Sequence, residues 1–494
     1  MNATHGAAPF AKKMYIAGRL VEGEDSVRVV NPATCREVVT LPAAGMGDAD
    51  RALEAARDAF PIWSKTPVSE RQAWMLKLRD AVLANEEHLR ACVHHEMGKS
   101  WADTQEDFDL LERALGYYAQ EIARVEDIPL PDSAGTHTHR LVYEPVGVAL
   151  AFLAWNFPLL NLAYKLASAM AAGCPIIIRP SEKTPVSAYA VGELCAQIGL
   201  PEGVVQILTT ASYDVADHLT ASPVPAMVTL IGSTETGRHI MFTGATSIKR
   251  YSMELGGNAP VLVFPDADID AAVDVVCGVK FSNAGQICVS PNRVFVHSDV
   301  LDDFTRKAVE RAQSVKVGWG REEGAEMGPV IDGRAWTRLK CMIDEADLNG
   351  ARVLTGGTRP AGQTQGHFLA PTVLADVTET MRVYREETFG PIVSIIPFDD
   401  DSDLERMAND CGEGGLVAYI FTRDKARAEA WTARLRYGEV QINGVKYDID
   451  LPHGGIGQSG IGHDCSPLAL QDYLVVKRVT HLNDDGRLQS TVRI

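Results

Sequence analysis

One thiol lies among neighbours that could make it reactive. In the stretch Phe281-Ser-Asn-Ala-Gly-Gln-Ile-Cys-Val-Ser-Pro291, Asn283, Gln286 and Ser290 crowd polar groups around Cys288, and Gly285 permits an unusual backbone angle or close approach. A cysteine in such a turn is commonly a buried packing residue. Two upstream stretches give it a chemical context. Met253-Glu-Leu-Gly-Gly-Asn-Ala-Pro260 sets the Glu254 carboxylate among glycines, and Ala154-Trp-Asn-Phe-Pro158 sets the Asn156 amide between two aromatics. A nucleophile, a base and an oxyanion donor are the parts of covalent acyl chemistry.

The surrounding pattern is that of a scaffold able to bring distant residues together. A short hairpin is expected over 14–30, then helices over 48–63, 69–85 (capped by Ser69), 86–97 and 104–123, with Gly98 as a stop. From 146 to 243 apolar strands alternate with helices, and the alternation restarts after Pro260. That rhythm predicts an α/β fold with two doubly wound parallel-sheet domains. The seam falls near 255–259, which puts Glu254 on it and Cys288 in the second domain, where ligand clefts form. An alternating segment at 136–143 and a strand-like run at 472–480 predict a small β oligomerisation arm, open to pairing with another subunit. The expected parse is 1–123 with 146–256, then 257–469, with 124–145 and 470–494 as the arm; residues 1–12 read as a loose tail.

Bulk properties exclude several classes. The 494-residue chain carries a formal net charge of −18, which argues against nucleic acid or an anionic membrane as partner. Its 9 cysteines are scattered without a C-x-x-C pair, so neither a disulfide framework nor a zinc site is indicated, and a cytoplasmic location follows from a free thiol. The N-terminus has no basic region followed by an apolar run, and no apolar run is long enough to span a bilayer. His94-His95-Glu96 lacks the second histidine of a helical zinc motif, so no metal is expected.

Glycine clusters give weaker signals. Gly232-Ser-Thr-Glu-Thr-Gly237 follows a strand and opens a helix, a context for pyrophosphate, but Arg238-His239 replace the Lys-Ser/Thr of a Walker loop. Gly455-Ile-Gly-Gln-Ser-Gly460 matches G-x-G-x-x-G letter for letter yet follows no parallel strand. It reads as a decoy.

Taken together, Trp155-Asn-Phe-Pro, Ile178-Arg-Pro-Ser-Glu182, Gly232-Ser-Thr, Glu254-Leu-Gly-Gly, Gly285-Gln-Ile-Cys288 and Glu386-Glu-Thr-Phe-Gly-Pro391 resemble the aldehyde dehydrogenase superfamily. Several segments look nearest its succinate-semialdehyde and related semialdehyde branch. The resemblance runs from the N-terminal hairpin to Thr480 and implies an NAD-binding domain, a catalytic domain, and homodimers or homotetramers built through the arm. It implies that Cys288 attacks an aldehyde, that Asn156 holds the oxyanion, that Glu254 activates water and that Lys165 relays protons or orients. For the cofactor it implies NAD, with NADP possible. The contacts carried over are Trp155, Arg179, Ser181, Gly232, Glu182 on the adenosine ribose, Ser233 on the pyrophosphate, Glu387 on the nicotinamide ribose and Phe389 against the nicotinamide. The branch usually anchors a substrate carboxylate with two arginines; here Tyr164 and Ser282 stand at those positions. Ser290 replaces a second cysteine that some members use as a redox switch. The loop 443–453 is expected to border the substrate pocket with Asn443, Lys446, Tyr447 and His453, for a small polar aldehyde, acidic, hydroxylated or sulfonated. A CoA-acylating aldehyde dehydrogenase, a non-redox cysteine acyl hydrolase and a non-catalytic family member are the competing readings; NADH production, and its response to CoA, separates them.

Overall fold

The computed structural model describes residues 10, 12–321, 324–410 and 415–483. Most of the expected tail (1–9 and 11) and the end of the expected arm (484–494) lie outside the described residues.

The first sheet is organised by strands that are apolar on both faces. Val148–Phe152, Ile176–Arg179, Val205–Ile207 and Pro225–Ile231 are almost wholly buried. Such strands need helices on both sides, which is the circumstance in which parallel pairing occurs. Val148–Phe152 lies between Ile176–Arg179 and Pro225–Ile231, parallel to both, and Arg250–Glu254 extends the sheet beyond Pro225–Ile231. The chain therefore leaves Val148–Phe152 toward one edge and later returns to build the other. Ligands bind at the carboxyl ends of strands where the order reverses in this way. Trp155 and Asn156 follow the first of these strands, Gly232 and Ser233 follow Pro225–Ile231, and Glu254 ends Arg250–Glu254.

The N-terminal hairpin Met14–Ile16 and Arg19–Val21 closes one edge antiparallel, and Gly460–Ile461 closes the other against Met253 and Glu254. The second sheet has seven strands in the order Arg352–Thr355, Thr372–Ala375, Ile392–Phe398, Arg293–His297, Pro260–Val263, Val417–Phe421 and Glu439–Ile442, all parallel except the first. One core runs along the chain to Leu255; the other starts at Ala259. Ile449, Cys465, Ala469 and Leu470 pack back into the first core. Together with the edge strand Gly460–Ile461, this returns the chain to the first layer well before the boundary expected at 469.

Ile128–Leu130, His137–Pro145 and Leu474–Leu482 form a separate antiparallel sheet, with Leu474 opposite Pro145 and Leu482 opposite His137. Its outer strand exposes Val476 and Leu482. The helix expected from Ser69 spans Val68–Leu83, and Pro67 rather than Ser69 holds the N-cap position; the fixed φ of proline sets the first turn. Gly98 ends Glu86–Met97 in the left-handed region, as expected. Gly457–Ser459 is a single tight turn leading into the edge strand, so the G-x-G-x-x-G stretch opens no long helix. Among the described residues no helix is long and apolar enough to cross a membrane.

Candidate active site

Cys288 is delivered by a strained turn. After the helix Ile269–Phe281, Asn283, Ala284 and Gly285 take φ of 45°, 53° and 71° in succession. The left-handed region costs a non-glycine residue roughly 1–2 kcal/mol, so the surroundings must hold the turn. Asp103 accepts from the Asn283 backbone N–H at 3.2 Å and from Ser282 Oγ at 3.4 Å. The buried Gln286 amide donates to Asn283 O at 2.9 Å and accepts from Ile331 N–H at 2.8 Å. Gly285 has a second reason to be glycine: a Cβ there would lie 2.3 Å from Gly390 O.

Asn156 is fixed by both ends of its side chain. Its Nδ2 donates to Gln286 O at 3.1 Å, its Oδ1 accepts from Asn161 Nδ2 at 3.3 Å, and its backbone carbonyl accepts from Asn283 Nδ2 at 2.9 Å. That pattern assigns the amide orientation and leaves one Nδ2 hydrogen for a ligand in the cavity.

Glu254 faces Cys288 across the seam, and His453 completes a cluster with them. One donor atom from each of the three lies within 4.8 Å of the others. His453 Nδ1 is 2.6 Å from Glu439 Oε1, and Nε2 is 3.5 Å from Glu254 Oε1. At the longer distance Nε2 makes no hydrogen bond to Glu254, whose Oε1 is buried without a hydrogen-bond partner among the described residues. Burial pushes the Glu254 carboxyl up to about 8; His453 opposes the shift, as does Lys165, while Asp464 adds to it. Lys165 is itself buried in an ion pair with Asp464. Burial opposes charge on His453, but Glu254, Cys288 and Glu439 outweigh it and hold its pKa well above the usual imidazole range. Burial also pushes the Cys288 thiol up; His453 pulls it down, and Glu254 and Glu387 push it up. Each of the three groups thus acts on the charge of the other two.

These groups open into one cavity of ≈620 Å³. Trp155 and Phe389 stand edge-on in its wall with ring centroids 5.5 Å apart, and Phe389 sits at φ 46°. Ser233 caps the helix Thr234–Gly244, accepting from Thr236 N–H, and lines the cavity with Gly232. Gly256 lets Glu387 approach: a Cβ there would lie 2.8 Å from Glu387 Oε2. Arg338 donates to Glu387 O at 3.3 Å and Thr388 O at 2.6 Å, fixing that backbone.

Comparison with known proteins agrees with this arrangement. Residues 20–479 match the aldehyde dehydrogenase family. The chain belongs to that family. It is 36% identical over 471 residues to a glutarate-semialdehyde dehydrogenase of Pseudomonas putida, covering 95% of this chain and 97% of the relative. It is 35% identical to a 3-sulfolactaldehyde dehydrogenase of Pseudomonas putida, with 95% and 96% covered. A solved succinate-semialdehyde dehydrogenase from Burkholderia pseudomallei superposes with a TM-score of 0.94 at 36% identity, covering 98% of this chain and 100% of that one.

Members of the aldehyde dehydrogenase family use NAD or NADP, and the residues here fit such a dinucleotide. A capped helix N-terminus suits pyrophosphate, and the Glu387 and Glu182 carboxylates suit ribose hydroxyls. Arg179, Ser181 and Glu182 are not in the cavity wall but at the carboxyl end of the next strand. Arg179 donates to Glu182 Oε2 at 3.0 Å and to Thr210 Oγ1 at 3.2 Å.

Of the residues expected to meet substrate, Tyr164, Ser282, Tyr447 and His453 line the cavity. Asn443 and Lys446 do not. The Asn443 amide is consumed by Thr422, accepting from its N–H at 2.9 Å and donating to its O at 2.8 Å, with φ at 52° turning the chain. Lys446 is exposed and pairs with Asp448 at 3.2 Å. Sequence reading missed Glu439, Asp464 and Asp103. Asp464 and Asp103 are remote along the chain from Lys165 and Asn283, Glu439 lies 14 residues before His453, and none of the three is in a motif. Glu106 and Asp448, also missed, line the cavity.

Proposed function

We propose that this protein oxidises a small polar aldehyde to the carboxylic acid through a thioester on Cys288. The observation that carries it is the convergence of Cys288, Glu254 and Asn156 on one cavity at the strand-order reversal of the first sheet. Cys288 gives up its S–H proton, its sulfur bonds to the aldehyde carbon and the carbonyl electron pair moves onto oxygen. The free Nδ2 hydrogen of Asn156 and the Cys288 backbone N–H stabilise that oxyanion. Bound NAD or NADP would supply the hydride acceptor. Glu254 then takes a proton from water, the hydroxide adds to the thioester carbon and the C–S bond breaks, with the sulfur regaining a proton. The Lys165–Asp464 pair lies close enough to influence the Glu254 carboxyl and supports an orienting or relay role.

The cavity wall favours a neutral, hydroxylated tail over an anionic one. Tyr164 and Ser282 offer hydroxyls, Glu106 and Asp448 add negative charge, and the wall's cationic side chains, Arg338 and His453, are both engaged. The acidic-tailed aldehydes in the relatives' names make a second reading, which the same assay ranks. Glu182 supports NAD, because a carboxylate accepts from both ribose hydroxyls and repels a 2′-phosphate. Of the nearby cations, Arg179 is paired with Glu182 and offsets part of that repulsion, whereas Lys183 Nζ is engaged 2.7 Å from Asp332. A homodimer or homotetramer through the outer arm strand is the expected assembly. The eight cysteines among the described residues are all free, which supports a reducing, cytoplasmic setting.

The test is NADH production from lactaldehyde, succinate and glutarate semialdehydes, 3-sulfolactaldehyde, benzaldehyde and long-chain aldehydes. Turnover should be best with lactaldehyde or another small hydroxylated aldehyde and vanish in Cys288→Ala. Full activity in that variant, or best turnover with a long alkyl aldehyde, contradicts the proposal. A tenfold preference for NADP in kcat/KM contradicts the cofactor assignment.

A further inference from the structure

We propose that His453, oriented by Glu439, accepts the proton of the Cys288 thiol and sets the reactivity of that sulfur. The inference rests on Cys288 as the nucleophile and names the group that receives its proton, which the acyl chemistry above leaves unassigned. Sequence position alone marked His453 only as a substrate contact; its contacts give it another task.

His453 is held at both ends. Its backbone pairs with Asp464, N–H to O at 2.8 Å and O to N–H at 2.6 Å, which fixes the loop. Its Nδ1 is 2.6 Å from Glu439 Oε1, a short contact in which the carboxylate accepts the Nδ1 proton. That selects the tautomer whose Nε2 can accept a proton. Nε2 is directed at the cluster formed with Cys288 and Glu254. Nucleophile, imidazole and orienting carboxylate are the parts of a nucleophile–base–orienter triad, recognised by geometry rather than by order in the chain. Here the order is Cys288, Glu439, His453.

The step balances without another reagent. The S–H proton moves to Nε2, its bonding pair stays on sulfur, and a thiolate and an imidazolium result. The imidazolium lies between Glu439 and Glu254, in surroundings from which water is largely excluded, so Glu439 stabilises its charge and Glu254 adds to this once it is ionised. Other groups facing the cluster act on it too. Glu387 joins Glu254 in opposing negative charge on sulfur. Buried Tyr419 and half-buried Tyr447 flank it; Tyr419 donates to Val289 O at 2.8 Å, and the Tyr447 ring stands edge-on to His453 at 5.8 Å. Cys465 and the Lys165–Asp464 pair lie beyond. Among these groups His453 is the one that draws the thiol toward the thiolate.

The test uses the full chain without cofactor or aldehyde and measures the rate of iodoacetamide attack on Cys288 against pH, with the modified peptide located by mass. Alkylation follows the thiolate fraction. His453→Phe should move the midpoint upward and slow alkylation near neutrality by about tenfold, the factor for one unit of thiol pKa. Glu439→Gln should move the midpoint in the same direction by less. At high pH, where the thiolate dominates in each protein, the rates should converge. Unchanged NAD binding and melting temperature show that the variants fold; if His453→Phe fails that control, His453→Gln takes its place. A profile unchanged by both the His453 and the Glu439 substitution overturns the inference, as would be expected if His453 only contacted substrate and moved KM alone. The reading of Cys288 as nucleophile stands or falls separately, on the loss of NADH production in Cys288→Ala.

Discussion

Asn156 shows how much chemistry one amide can hold when its other contacts are taken. With one Nδ2 hydrogen on Gln286 O and Oδ1 on Asn161, the remaining hydrogen has a fixed direction. Asn156→Ala should therefore cost about 2.7–4 kcal/mol of barrier, a 10²–10³-fold loss in kcat, with little change in cofactor binding. Steady-state kinetics with a cofactor titration checks the split. Glu254 makes a pH prediction. Its carboxyl is held up to about 8, and it must be ionised to take a proton from water, so thioester hydrolysis should rise as pH increases through about 8. Pre-steady-state kinetics that isolate the hydrolytic step would show that limb, and a flat profile from pH 6 to 10 would contradict the assignment. Cys288, Glu254 and Asn156 were legible because each lies in a local glycine- or aromatic-rich string. Glu439 was not: strand residues with carboxylates are common, and only the return of the chain to His453 gives this one a partner.

The turn before Cys288 is the element on which the site depends. Gly285 combines φ 71° with a carbonyl 2.3 Å from where a Cβ would sit, so Gly285→Ala must displace the Gly390 backbone or the turn itself. The left-handed angle alone costs roughly 1–2 kcal/mol, and the clash adds to it. A lower melting temperature together with lost activity is expected; a variant with wild-type melting and turnover would show that the turn is not so constrained. The glycine was legible in the sequence, but the two left-handed residues before it were not, because Asn283 is held there by Asp103 from outside the motif and by Gln286, whose own amide is anchored on the distant Ile331. The same limit explains Asn443 and Lys446. Their loop does border the cavity, but a positive φ at Asn443 ties its amide to Thr422, and Lys446 projects outward.

For the whole molecule, alternating apolar strands and helices were enough to place two parallel-sheet layers and the seam between them, since buried parallel strands leave an unambiguous pattern. The antiparallel strand Gly460–Ile461 was hidden, because two residues carry no periodicity and its G-x-G-x-x-G context pointed elsewhere. The arm was visible as alternation, and its exposed edge gives a prediction at this scale. Val476 and Leu482 are 54% and 46% exposed on the outer strand. If that edge is the assembly surface, the double substitution of both residues by aspartate should dissociate the oligomer in sedimentation without unfolding the subunit. An unchanged sedimentation coefficient would place the interface elsewhere.

The most direct test of the account is to trap the acyl group. With Glu254→Gln, a good aldehyde substrate and cofactor, rapid quenching and peptide mass analysis should find the substrate's acyl mass on the peptide carrying Cys288, accompanied by one equivalent of reduced cofactor and little further turnover. Reduced cofactor formed at the wild-type rate with no mass added at Cys288 would contradict a thioester at that sulfur.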